Sequence, residues 1–172
     1  GLIPEEWSIR KIKSSFDVYS GATPKGESGE LWDGDIVWVT PADYKTTDKY
    51  VSTGKRNISK LGYESCGTTL VPSGSIIFSK RAPIGSVAIA TQMLCTNQGC
   101  LSCVPKASAY NIYFFYLMSV FTEQFELLGS GTTFKEISYS NFKNFSLPYP
   151  SVSEQHQIAD FLDSKCASID NV

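Results

Sequence analysis

Three cysteines, Cys95, Cys100 and Cys103, stand at the C-x4-C-x2-C spacing with which plant-type ferredoxins begin an iron–sulfur site. Such a cluster needs a fourth thiolate, and the only later cysteine, Cys166, falls on a separate helical segment. The three are therefore expected as small buried hydrophobes. A zinc site finds no better material, because His156 is the single histidine and sits in a polar stretch between Gln155 and Gln157. Asp35, Asp43 and Lys45 have the residue types of a metal-dependent nuclease, in which carboxylates hold the metal and a lysine assists the attacking water. The competing reading puts Asp43 and Lys45 on a solvated loop after Pro41. The chain has no G-x-S-x-G elbow, P-loop or G-x-G-x-x-G turn, and Leu147-Pro-Tyr-Pro150 has the composition of an amino-methyltransferase signature without its order. With no acid/base pair or cofactor cradle in view, the residues point to binding rather than catalysis.

Charge suggests what is bound. The whole chain has a net charge of −2, yet between Thr40 and Arg81 seven cations (Lys45, Lys49, Lys55, Arg56, Lys60, Lys80, Arg81) face three anions (Asp43, Asp48, Glu64). Tyr44, Thr46, Thr47, Tyr50 and Asn57 are interleaved with them. Cations on loops neutralise phosphates, and neighbouring polar side chains can read base edges.

These residues need a scaffold. At 172 residues, with 42% hydrophobic and 19% charged side chains, the chain has the size and texture of one globular domain, or one domain with an appendage. Five cysteines in a chain able to build a full core fit reduced thiols and a cytoplasmic location. The longest apolar run, residues 110–121, is shorter than the ~20 residues of a membrane-spanning helix. The opening residues have no basic-then-apolar signal, and they lack an initiator Met, which suggests a piece of a longer protein.

From Trp7 to about Cys103 short β-like runs alternate with Gly, Pro and Ser. The runs at 75–79 and 86–91 flank Lys80-Arg-Ala-Pro-Ile-Gly85, which predicts a hairpin carrying two solvent-facing cations at its tip. A largely apolar helix is predicted from Ala109 to Leu128, capped by Ser108 and ended by Gly129. Ser151-Val-Ser-Glu154 is a capping box that opens a second helix, whose apolar stripe includes Ile158, Phe161, Leu162, Cys166 and Ile169. Periodicity alone reads that stripe as packing on its own domain. The fold class expected is α+β: a twisted, mostly antiparallel sheet with a buried helix, then a protruding C-terminal amphipathic helix.

The order of motifs carries more. Gly21-Ala-Thr-Pro24, Trp32-Asp-Gly-Asp-Ile-Val-Trp-Val-Thr-Pro41, Thr53 with Arg56-Asn-Ile-Ser59, and Gly62 come first. Leu70-Val-Pro-Ser-Gly-Ser75, Ser79-Lys-Arg-Ala-Pro-Ile-Gly85, Thr96-Asn-Gln-Gly99, Gly129-Ser-Gly131 and Phe134-Lys-Glu-Ile-Ser138 follow, with Pro148, Pro150, Glu154-Gln155 and Phe161-Leu-Asp163 at the end. This series resembles the target recognition domain of the specificity subunit of type I restriction-modification enzymes.

The resemblance implies a noncatalytic subunit that reads double-stranded DNA, with residues 1–150 as one half-site reader and 151–172 as the start of a spacer helix. Partners implied are methyltransferase and motor-nuclease subunits, and a second recognition domain or a second copy through the C-terminal helix. The chain itself is expected to hold no cofactor or metal; S-adenosylmethionine, ATP and Mg are expected on the partner subunits. Candidate DNA contacts are Tyr44, Lys45, Lys49, Lys55, Arg56, Lys80, Arg81, Thr132, Thr133 and Lys135. Sequence choice is placed in residues 25–30, 44–55 and 132–135. Candidate partner contacts are Gln155, Ile158, Leu162 and Ile169. The shared glycines Gly21, Gly34, Gly62, Gly74 and Gly85 are expected in turns, and Trp38 and Phe78 in the core. The alternatives are the small nuclease built on Asp35, Asp43 and Lys45, and an assembly module whose C-terminal stripe binds a helix without any DNA role.

Overall fold

Alternation decides where the core lies. In Ile76–Ser79 and Val87–Ala90 every residue is buried, so both faces of these strands must be covered. Ile76, Phe78, Val87 and Ile89 point into one apolar cluster, and Ile77, Ala88 and Ala90 into another on the opposite face. The computed structural model describes residues 3–131 and 135–170.

In chain order the strands are β1 (Ser8–Lys11), β2 (Phe16–Ser20), β3 (Trp32–Val39), β4 (Tyr50–Val51), β5 (Arg56–Ile58), β6 (Ile76–Ser79), β7 (Val87–Ala90), β8 (Cys95–Thr96), β9 (Cys100–Pro105) and β10 (Ser146–Tyr149). The helices are α1 (Ile12–Ser15), α2 (Lys60–Glu64), α3 (Asn111–Val120), α4 (Thr122–Leu128), α5 (Tyr139–Asn144) and α6 (Val152–Asp170). The strands form three sheets, of order β2-β9-β6-β7-β4, β5-β3-β8 and β1-β10. Pairing is antiparallel except for β4 with β7 and β3 with β8. The expected α+β class is what the chain adopts, divided among three sheets. The hairpin of β6 and β7 is present as read.

The main core fills the space between one face of the five-stranded sheet and α3 and α4, with Phe16, Phe78, Phe114, Phe125 and Phe142 all fully enclosed. The long helix expected over 109–128 is divided at Phe121, whose N–H is shared between Leu117 O at 3.3 Å and Met118 O at 3.2 Å. Ser108 does not cap it. The Ser108 hydroxyl donates to Ser15 Oγ, and the free N–H of Tyr110 donates instead to Gln155 Oε1 of α6 at 2.8 Å.

Helix α6 begins as read, with Ser151 Oγ accepting from Glu154 N and the Glu154 carboxylate accepting from Ser151 N. Its first turns lie on the domain through buried Gln155 and Ala159, while Phe161 and Ile169 are exposed. Among the described residues no helix is long and apolar enough to cross a membrane.

The shared motifs meet at one node. Ala22 N donates to Thr96 O, Asn97 N to Val39 O, and the Trp38 indole to Ala22 O. Gly21 is there for close approach rather than for a turn, since a Cβ would lie 2.1 Å from Asn97 O. Gly34 and Gly62 are likewise contact positions, inside β3 and α2. Gly74 and Gly85 do take the positive φ expected of turn glycines, at +87° and +91°. Trp38 and Phe78 are core residues, as read.

Candidate nucleic-acid interface

The three clustered cysteines enter three different cores. Cys95 packs with Trp32 and Trp38, Cys100 with Tyr44 and Val71, and Cys103 with Phe78 and Leu101. Burial pushes the Cys95 and Cys100 thiols up to about 12 and raises that of Cys103 as well. They are structural hydrophobes, and no shared ligand set is formed.

Of the residues in the nuclease reading, Asp35 is exposed on β3 and Lys45 is exposed, while Asp43 is already engaged by its own turn. Asp43 closes a capping box on the short helix Pro41–Asp43: its Oδ2 accepts from Thr40 N and Thr40 Oγ1, each at 2.7 Å. Its Oδ1 accepts from Lys55 N at 2.9 Å. Both oxygens therefore fix backbone, which ties the 40–43 turn to the strand entry at Lys55.

That tie joins two concavities. One is floored by β3 and β5 and lined by Asp33, Gly34, Thr53, Lys55, Arg56 and Asn57. The other lies between the 40–43 turn and the β6–β7 loop, lined by Pro41, Ala42, Arg81, Pro83, Asn97 and Gly99. Arg56 lies over the Trp32 ring at 4.2 Å, with Asp33 at 3.4 Å and Glu27 at 3.6 Å from its guanidinium. The Glu27 contact brings the 25–30 stretch beside Lys55 and Arg56. Lys45 and Lys55 are exposed and make no ion pair among the described residues.

At the other end, Glu136 receives both cations of the hairpin loop: Lys80 Nζ lies 2.8 Å from Oε1 and Arg81 Nε 2.7 Å from Oε2. Burial alone would raise the Glu136 carboxyl, but the hydrogen bonds and charges of Lys80 and Arg81 together hold it below the usual carboxylate range. Glu136 and Ser130 exchange backbone hydrogen bonds at 3.0 Å, which places Ser130 in the same bridged group as Glu136 and Arg81. Lys135, next to Glu136 in sequence, is exposed. Thr132 and Thr133, expected as base readers, lie outside the described residues.

Three expected contacts are displaced. Tyr44 is 4% exposed, its hydroxyl beside Cys100 Sγ at 3.7 Å, so it is a core residue and not a reader; its apolar ring completes the cluster beneath the 40–43 turn. Lys80 is 8% exposed and turned inward by Glu136, not solvent-facing at a hairpin tip. Lys49 points away from the turn, to Asp163 of α6, which also accepts from the Tyr116 hydroxyl. Among the expected partner contacts, Gln155 is 1% exposed and hydrogen-bonded within the domain, so it offers nothing to another chain. Ile158 and Leu162 line an apolar groove with Trp7, Tyr113, Tyr116 and Leu117, and only Ile169 stands free, at 73% exposure. Sequence reasoning missed Glu136. A carboxylate inside Phe134-Lys-Glu-Ile-Ser138 was visible, but no spacing linked it to residues 80 and 81.

The family model described as "Type I restriction modification DNA specificity domain" matches residues 4–171. The type I restriction enzyme MjaIX specificity subunit of Methanocaldococcus jannaschii is 40% identical over 165 residues, which cover 94% of this chain and 38% of that protein. The Escherichia coli EcoprrI specificity subunit is 28% identical over 88% of this chain and 40% of its own length. In fold, the chain is similar to the HsdS subunit from Thermoanaerobacter tengcongensis (TM-score 0.75, 18% identity, 99% of this chain and 40% of that one). A chain solved in work on complex assembly and conformational transition of the type I R-M system gives a TM-score of 0.79 at 20% identity, over 99% of this chain and 41% of that one. The chain thus spans about two fifths of the length of these relatives.

Proposed function

Because the chain belongs to the family of type I restriction modification DNA specificity domains, we propose that it reads one half-site of double-stranded DNA as a noncatalytic part of a specificity subunit. The observation that carries this reading is the continuity of the surface around the 40–43 turn. Asp43 joins a concavity bearing Lys55 and Arg56 to one bearing Arg81, with Glu27 at one end and Glu136, bonded to Ser130, at the other.

Exposed Lys45, Lys55 and Lys135 supply sequence-independent phosphate attraction, and half-buried Arg56, stacked on Trp32, is ordered in advance. Its two carboxylate contacts are long and exposed, so they yield to a phosphate at little cost. On this reading residues 1–150 contact DNA and residues 151–172 begin the helix that sets half-site spacing. Methyltransferase and motor-nuclease subunits, carrying S-adenosylmethionine, ATP and Mg, are the partners that act on the site so chosen. A second recognition domain, or a second copy, reads the other half.

Selection of bound duplexes from a randomised double-stranded pool tests this. Enrichment of a short motif of a few base pairs is expected. Recovery of a pool as random as the input, at low and moderate salt alike, contradicts it.

A further inference from the structure

Arg81 is held in an unusual way for a residue whose task is charge alone. Its carbonyl oxygen accepts from Ser79 Oγ at 2.7 Å, and its Nε donates to Glu136 at 2.7 Å. Glu136 is itself fixed, because its backbone N–H and C=O are both bonded to Ser130 and the next residue, buried Ile137, donates to Lys80 O. The side chain is nevertheless 45% exposed and lines the concavity beside Pro41, and its two terminal nitrogens make no hydrogen bond among the described residues.

Such a clamp spends one edge of the guanidinium and presents the fork of Nη donors. A guanine offers two acceptors, O6 and N7, at the matching separation on the major-groove edge. The charge count argues for a base over a phosphate. Lys80, Arg81 and Glu136 sum to a single positive charge, and the carboxylate repels a phosphate that approaches the same group, whereas directional N–H donors are not weakened as base readers.

We propose that Arg81 reads a guanine in the recognised half-site and that Glu136 is the positioning residue that aims it. This rests on the DNA-binding reading above. The geometry is set before DNA arrives, so little side-chain ordering remains to be done on binding.

The test is the randomised-duplex selection repeated with Arg81→Lys and Glu136→Gln, scoring each base position separately. The wild-type chain is expected to require G·C at one position, and both variants to lose that preference by roughly 5- to 150-fold while keeping the preferences at the other positions. The surviving positions show that the variants fold and dock. Full retention of the G·C preference in Glu136→Gln overturns the positioning role. Equal loss at every position in either variant makes the residue a phosphate contact or a structural support, and also overturns the proposal. If the wild-type chain itself enriches nothing, the proposed function fails first, an outcome distinct from both.

Discussion

The Lys49 ammonium donates to the Asp163 carboxylate, which joins the stretch after the 40–43 turn to helix α6 across 114 residues of sequence. Tyr116 of α3 donates to the same carboxylate, and Lys49 lies 5.2 Å from the centre of the Tyr116 ring. Helix α6 is thus tied by charge to the segment that leads into β4.

Asp163→Asn removes the anion at constant size. The pair is partly exposed, so the expected cost is about 1 kcal/mol or less, read as a lower urea midpoint. The salt dependence of DNA binding should not change, because Lys49 faces the helix and not the groove.

Acid should weaken the fold through the same groups. Burial would raise the Asp163 carboxyl, but hydrogen bonds from Lys49 and Tyr116 and the Lys49 charge hold it low, and Glu136 is also held low. Folded values below unfolded ones give stabilisation that is complete above the unfolded carboxylate pKa and is lost as pH falls through the folded values. Urea midpoints are expected to be level from about pH 7 to 5 and to decline below about pH 4. The decline should be shallower in Asp163→Asn.

Gln155→Ala should be far more damaging than its position in an apparently surface helix suggests. The side chain accepts from Tyr110 N and donates to Ser108 O and Pro150 O, so truncation strands the Tyr110 amide at the entry to α3 and two carbonyls. A loss of about 2–3 kcal/mol is expected, against no more than about 0.5 kcal/mol for exposed Gln157→Ala, both measured by chemical denaturation.

Tyr44→Phe separates core from interface. With the hydroxyl enclosed and hydrogen-bonded, among the described residues, to a cysteine sulfur alone at 3.7 Å, removal should cost about 1 kcal/mol or less and leave duplex affinity within a factor of about two. A large loss of affinity at intact stability would return Tyr44 to the DNA surface. Burial and the neighbouring Cys100 raise its phenol well above the usual value, so no titration near neutral pH complicates the comparison.

What could be read in the sequence was local. The β6–β7 hairpin, the Ser151–Glu154 capping box and the turn glycines Gly74 and Gly85 are each specified within a few residues, and each is where spacing placed it. What escaped depends on partners far along the chain. Lys80 and Arg81 are alike as letters, yet Glu136 turns one inward and leaves the other at the groove. Tyr44 looks like any loop tyrosine until Cys100 and Val71 close around it. Gln155 lies in a polar stretch, and only the uncapped amide of Tyr110 makes it a core residue. The same limit hid the continuity of the surface, since Asp43 reaches Lys55 through a backbone amide that no charge pattern reveals.

The most direct test of the account is the salt dependence of duplex binding by anisotropy, for the wild-type chain and for Lys55→Ala, Arg56→Ala and Lys49→Ala. Loss of Lys55 or Arg56 should each lower the slope of log K against log salt by about one unit, while Lys49→Ala leaves it unchanged. Identical slopes for wild type, Lys55→Ala and Arg56→Ala, or a lowered slope confined to Lys49→Ala, would place DNA elsewhere on the molecule and contradict the assignment of the surface around the 40–43 turn.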